Sequence, residues 1–374
     1  MAVLKHRYRL LKLVIAGSLL TAVLPTTLQW SQVYAATSTG ALKTPGEIQQ
    51  KLIAGLTLRN HIITFKYKGS TDKLKSVLDK ALQAALESDP YTMYILDRYS
   101  FQWQGTSMSV NVTVDLTYRE TKEQTDYVDS QVKSILKELI KPGMNDHEKV
   151  KVIHDWVVLH LKYDESMDYY TAYEGLKTGR AVCQGYSLLT YKMLKSAGIT
   201  NIIVEGQAGG QLHAWNLVLL GGKWYHLDTT WDDPLPDQGE VHTAYYLRTD
   251  VQMKKDHSWT KTYPPAVTLY RETLSALIWQ DQSKSAFYTK LEKQLGYNFY
   301  LESEIVSTSA QLNEKVTAAV KAGDRKLTFR YDGSKSSLEQ DLQKLYNLGL
   351  NQIKYSMSPF EDTGDWMVEI EWTK

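Results

Sequence analysis

The chain has 374 residues, 43% hydrophobic and 23% charged, a globular composition with apolar material for a sizeable core spread over two or three domains. Its formal charge of +1 excludes the strongly basic balance expected of a nucleic-acid binder. One cysteine excludes an internal disulfide framework, and with only scattered histidines beside it no zinc-ligand spacing arises.

Residues 1–35 read as an export leader. Lys5, Arg7, Arg9 and Lys12 form a basic start, Leu13 to Leu24 an apolar run, and Val33-Tyr34-Ala35 a small-residue site with cleavage expected after Ala35. The apolar run is short for a membrane-spanning helix of about 20 residues. Without the leader, 39 basic residues face the 42 acidic ones counted in the chain, so the expected product is mildly acidic, free of the membrane and outside the cell.

Residues 46–120 and 301–374 are expected to form two small β-α-β-β modules. Residues 60–70 read NHIITFKYKGS and residues 324–334 read DRKLTFRYDGS. A helical stretch follows each, one from Thr71-Asp72 to about Glu87, the other from Ser334 to about Leu348. Each copy then ends in an alternating strand: Val110, Val112, Val114, Leu116 and Tyr118 in the first, Trp366, Val368, Ile370 and Trp372 in the second. In each module the single helix is expected to cover the apolar sheet face. Their expected role is structural, or binding to wall polymer or protein. Asn111-Val112-Thr113 matches a glycosylation sequon but lies in a strand and carries little weight.

The chemistry lies between them, in a domain expected over residues 140–264, followed by a helical connector over 265–300. Asp146 to Leu161 is amphipathic, with Val150, Ile153, Trp156 or Val157, and His160 at helical spacing. A second helix is expected from Val182 to Ala197, stopped by Gly198. Cys183 falls in its first turn. There the helix terminus favours a thiolate, and backbone N–H groups point toward any oxyanion formed on acyl transfer.

Residues 212–220 and 223–228 flank Gly221-Gly222, a two-residue hairpin signal. Pairing Leu220 with Lys223 sets Trp215 opposite Asp228 and His213 diagonal to it, roughly 7–8 Å apart at Cα. Cys183 is then the expected nucleophile, His213 the base that takes its proton and later donates it to the leaving amine, and Asp228 the acid that orients the ring. His226, on the same strand face and opposite Leu217, is the competing base. His154 and His160 read as packing or solvated helix residues, and His242 and His257 as structural. Asp228, Asp232, Asp233, Asp237 and Glu240 do not match a calcium-loop spacing and are interrupted by Pro234 and Pro236.

Residues 144–264 resemble the transglutaminase-like domain of bacterial extracellular proteins. The matching blocks are HEKVKVIHDWVVLHLKYDE (147–165), GRAVCQGYSLLTYKMLKSAGI (179–199), HAWNLVLLGGKWYHLDTTWDDP (213–234) and YYLRTDVQMKKDHSW (245–259). The resemblance implies an α+β, papain-like core and places thiol, base and acid on Cys183, His213 and Asp228. It leaves Gln184 and Trp215 as candidates for the oxyanion or groove. It implies an acyl-cysteine intermediate passed to an amine or to water, on a protein or peptide amide that is cell-wall associated or free; from charge and residue spacing, no nucleic acid, metal or cofactor is expected. The alternative is a non-catalytic surface protein that uses the same domain as a scaffold.

Overall fold

A computed structural model describes residues 8–9, 40–233, 241–361 and 363–373. The expected leader, Tyr8 and Arg9 apart, lies outside the described residues, as do Asp237 and Glu240. The chain divides into two compact units, one up to Thr268 and one from Leu269. Among the described residues no helix is long and apolar enough to cross a membrane.

The first unit opens with β1 (Tyr8–Arg9) and α1 (Pro45–Thr57). Thr44 and Glu47 close a capping box at the start of α1, and Pro45 supplies a preset φ. Then follow β2 (Ile62–Lys68), α2 (Leu74–Glu87), α3 (Pro90–Ile95), β3 (Leu96–Thr106) and β4 (Ser109–Tyr118). The sheet runs in the order β1-β3-β4-β2. Val110, Val112, Val114 and Leu116 point inward against Leu74, Leu78 and Leu82 of α2 and against Ile48 and Leu52 of α1. Two helices therefore cover this face, where one was expected: the sheet is wider than one helix, and α1 fills the remainder.

The middle of the unit begins with α4 (Lys122–Leu139), which starts on a Thr121–Gln124 capping box. Next come α5 (Asp146–His160), β5 (Lys162–Tyr163), α6 (Ala172–Thr178), β6 (Arg180–Ala181) and α7 (Cys183–Ser196). Asn145 caps α5 in a box with Glu148. Val150, Ile153 and Val157 are its buried stripe, whereas His160 is exposed and stacks on Trp156. Strands β7 (Asn201–Ala208), β8 (Gln211–Leu220) and β9 (Lys223–Leu227) follow, then α8 (Asp250–Met253) and β10 (His257–Ser258). Their sheet has the order β10-β7-β8-β9. Leu220 pairs with Lys223 and Leu217 with His226. Gly221 and Gly222 make the turn at φ 55° and 76°, values that glycine adopts without strain.

The second unit contains α9 (Tyr270–Gln280), α10 (Ser285–Gln294), β11 (Ile305–Val306), α11 (Ser309–Ala322), β12 (Lys326–Tyr331), α12 (Lys335–Lys344), β13 (Asn351–Pro359) and β14 (Trp366–Thr373). Its sheet order is β11-β12-β14-β13. Residues 42–118 and 305–373 follow the same path. A parallel contact comes first (Leu42 with Tyr67, Val306 with Tyr331), and a helix precedes the strand of each repeat. That strand then pairs with the last one, Phe65 facing Val112 and Phe329 facing Val368. The similarity therefore extends upstream of the segments that are alike in sequence.

Candidate active site

Cys183 is the first residue of α7 and is partly exposed. The helix has no side-chain cap, so its first-turn N–H groups are free of side-chain capping partners. Its close approach to β6 depends on Gly185, where a Cβ would stand 2.6 Å from the Ala181 Cβ and 3.1 Å from the Thr171 carbonyl. One turn along, the Ser187 hydroxyl contacts the carbonyls of Cys183 and Ala214 at 2.8 and 2.7 Å. The Asn216 amide donates to the Ser187 carbonyl. These bonds tie the helix that starts at Cys183 to β8, the strand carrying His213.

His213 donates from Nε2 to Asp228 Oδ2 at 2.6 Å, which leaves Nδ1 for a second partner, and the Cys183 sulfur is near enough to favour charge on the ring. Burial opposes a charge on this ring, but the Asp228 carboxylate and the cysteine sulfur outweigh it, and the pKa is pushed up to about 10. Asp228 is fully buried, which favours the neutral acid; the charge and hydrogen bonds of His213, with a further bond from His257, reverse this and hold it well below the usual carboxylate range. Its Oδ1 accepts from the backbone N–H groups of Thr230 and Trp231 at 3.0 and 3.2 Å. The arrangement can store a proton on His213 beside a sulfur nucleophile while a fixed carboxylate stabilises that charge.

Both oxyanion candidates have donors engaged elsewhere. The Gln184 amide donates to the Tyr94 carbonyl at 2.9 Å, and the Trp215 indole N–H donates to His226 Nδ1 at 2.8 Å. The indole has no other donor, so Trp215 serves as a wall, its ring stacked 5.6 Å from His213. For the oxyanion this leaves the backbone N–H groups at the start of α7 and the second N–H of the Gln184 amide.

His226 is not placed to act as the base. It is 1% exposed, Nδ1 accepts from Trp215 and Nε2 donates to Asp250 at 2.8 Å. Burial depresses its basicity further. The remaining acids of the 228–233 turn hold the structure from within. Asp232 receives His154 Nε2 at 3.0 Å and the Tyr245 N–H at 2.8 Å, and Asp233 accepts from the Tyr186 hydroxyl at 2.5 Å.

Two histidines have roles that sequence reasoning missed. His154 is fully buried between Asp155 and Asp232. His257 reaches Asp228 Oδ2 at 3.1 Å from the far side. The ligand atoms of His213, Asp228 and His257 lie within 4.8 Å of one another, close enough for a metal ion. Here, however, both ring nitrogens point at the same carboxylate oxygen, which describes a hydrogen-bond network.

Residues 133–229 match the family model of the transglutaminase-like superfamily. This transglutaminase-like segment contains Cys183, His213 and Asp228. Among curated relatives, the kyphoscoliosis peptidase of Mus musculus is 25% identical over 226 residues, covering 52% of this chain and 33% of its own. That of Homo sapiens is 27% identical over 229 residues with the same coverage. The chain thus spans about a third of the length of the curated relatives it matches. Among solved structures, a crystal structure of a TGase is 17% identical with a TM-score of 0.28, over 50% of this chain and 54% of that one.

Proposed function

We propose that this chain is an exported thiol enzyme that transfers acyl groups from protein or peptide amides through a Cys183 thioester. The observation that carries this reading is the His213 Nε2–Asp228 Oδ2 bond at 2.6 Å on a strand that the Ser187 hydroxyl ties, through the Ala214 carbonyl at 2.7 Å, to the helix that starts at Cys183. The Cys183 thiolate attacks the amide carbon, and backbone N–H groups at the start of α7 bear the developing oxyanion. Collapse breaks the C–N bond, and the His213 proton leaves on the departing amine. His213 then takes a proton from water or an amine, whose attack on the thioester releases the product and the thiol. Two relatives carry the name peptidase, which favours water as the acceptor.

Iodoacetamide at pH 6 tests the thiol, since an ordinary cysteine with a pKa of about 8.5 reacts slowly there. Rapid labelling is expected, and slow labelling would instead favour a non-catalytic scaffold. Casein incubated with a labelled primary amine separates the acceptors: incorporation means amine transfer, and cleavage or ammonia release without incorporation means water. Either activity surviving in Cys183→Ala would overturn the assignment.

A further inference from the structure

His257 sits in β10 between two carboxylates. Its Nε2 is 3.1 Å from Asp228 Oδ2 and its Nδ1 is 2.5 Å from Asp256 Oδ1. Asp228 is held ionised and an ionised carboxylate only accepts, so Nε2 donates to it. Asp228 Oδ2 therefore takes two imidazole donors, while Oδ1 takes two backbone N–H groups. The ring is wholly buried, with Trp231 and Trp215 against it at centroid distances of 4.6 and 5.1 Å. The Tyr245 hydroxyl holds Asp256 from behind at 2.6 Å. Asp228, Asp256, His213, His226 and Tyr245 are the titratable groups that face it.

The backbone is cut to allow this approach. At Gly206, which pairs with His213, a Cβ would stand 2.1 Å from the Ser258 carbonyl. Only a residue without a side chain lets β10 come this close to β7.

We propose that His257 is a positioning residue for the thiol site. Its N–H holds Oδ2 while the Thr230 and Trp231 N–H groups hold Oδ1, together setting the carboxylate plane of Asp228, and Asp228 then fixes the His213 ring that serves Cys183. A carboxylate rotates in a broad torsional well. Without His257, Oδ2 would be held only by the imidazole it has to orient. This inference deepens the acyl-transfer reading and rests on it.

The test is the rate of Cys183 alkylation by iodoacetamide in the whole chain, measured from about pH 4 to about pH 10, with thermal unfolding followed in parallel. His257→Leu should label about tenfold more slowly at pH 6. His257→Gln keeps a donor and should stay within about threefold of wild type. A His257→Leu rate equal to wild type, or a His257→Gln rate as slow as that of His257→Leu, overturns the proposal. If His257→Leu does not fold, Asp256→Asn decides, because that side chain is 36% exposed. It should slow labelling about threefold, and an unchanged rate overturns the proposal. Slow labelling of the wild type at pH 6 sinks the acyl-transfer reading and this inference with it. Fast wild-type labelling with no effect in the variants sinks this inference alone.

Discussion

Ser187 and Ala214 are joined by a 2.7 Å hydrogen bond from a side-chain hydroxyl to a backbone carbonyl. One lies a turn beyond the cysteine and the other next to the histidine, so this bond sets the spacing of the thiol and the imidazole from behind. Ser187→Ala should cost about 1 kcal/mol of stability. It should lower Cys183 labelling at pH 6 by more than the stability loss explains. Urea unfolding and alkylation on the same preparation measure the two effects separately.

Linkage makes the His213–Asp228 pair visible in a pH series. The folded-state pKa of His213 lies near 10 and its unfolded value near 6.5, so its stabilisation is fully present below about pH 6.5 and is lost as pH rises toward 10. Asp228 is depressed, so its contribution is present above about pH 3.9 and is lost as pH falls further. The difference in melting temperature between wild type and His213→Gln should narrow from pH 6.5 to pH 10. A constant difference across that window would contradict the charged pair.

His154 carries a structural load that its position on a helix conceals. Its ring links Asp155 and Asp232, both within 3.0 Å, and Asp232 is wholly buried. His154→Leu leaves that acid without its charged partner and should cost about 3–5 kcal/mol. Asp232→Asn in the same background should recover part of the loss, which a double-mutant cycle by chemical denaturation would measure.

Gly206→Ala should displace β10, because the added methyl would meet a backbone carbonyl at 2.1 Å. Cys183 labelling at pH 6 should fall, even though residue 206 touches neither the thiol nor a reactant. An alanine variant with wild-type labelling would mean that β10 is free to move without consequence.

Much of the site was legible because its parts follow local rules. The hairpin register followed from Gly221-Gly222, and that register places Asp228 one residue past the last pair, Asn216 with Leu227. The cysteine helix followed from apolar spacing and Gly198. Helix α4 escaped notice although Thr121-x-x-Gln124 announces it, since only Val128, Val132 and Leu136 form a thin apolar stripe among charges. His257 could not be read in this way. It lies 29 residues from Asp228, in a strand of two residues, too short to show any alternation. Gln184 and Trp215 sit beside the site in sequence, but whether a donor is available depends on which neighbours packing supplies. Here Tyr94 takes one of the two Gln184 amide donors and His226 takes the single Trp215 donor.

The Gln184–Tyr94 bond carries a consequence for how far the site's supports extend. Gln184, next to Cys183, is held by a carbonyl about forty residues upstream of the matched family segment, and Asp228 is braced by a histidine downstream of it. Excising residues 133–229 would sever both supports. Cooperativity therefore extends over a longer stretch than the family resemblance, and the smallest piece that keeps the site intact should reach from the first repeat through β10.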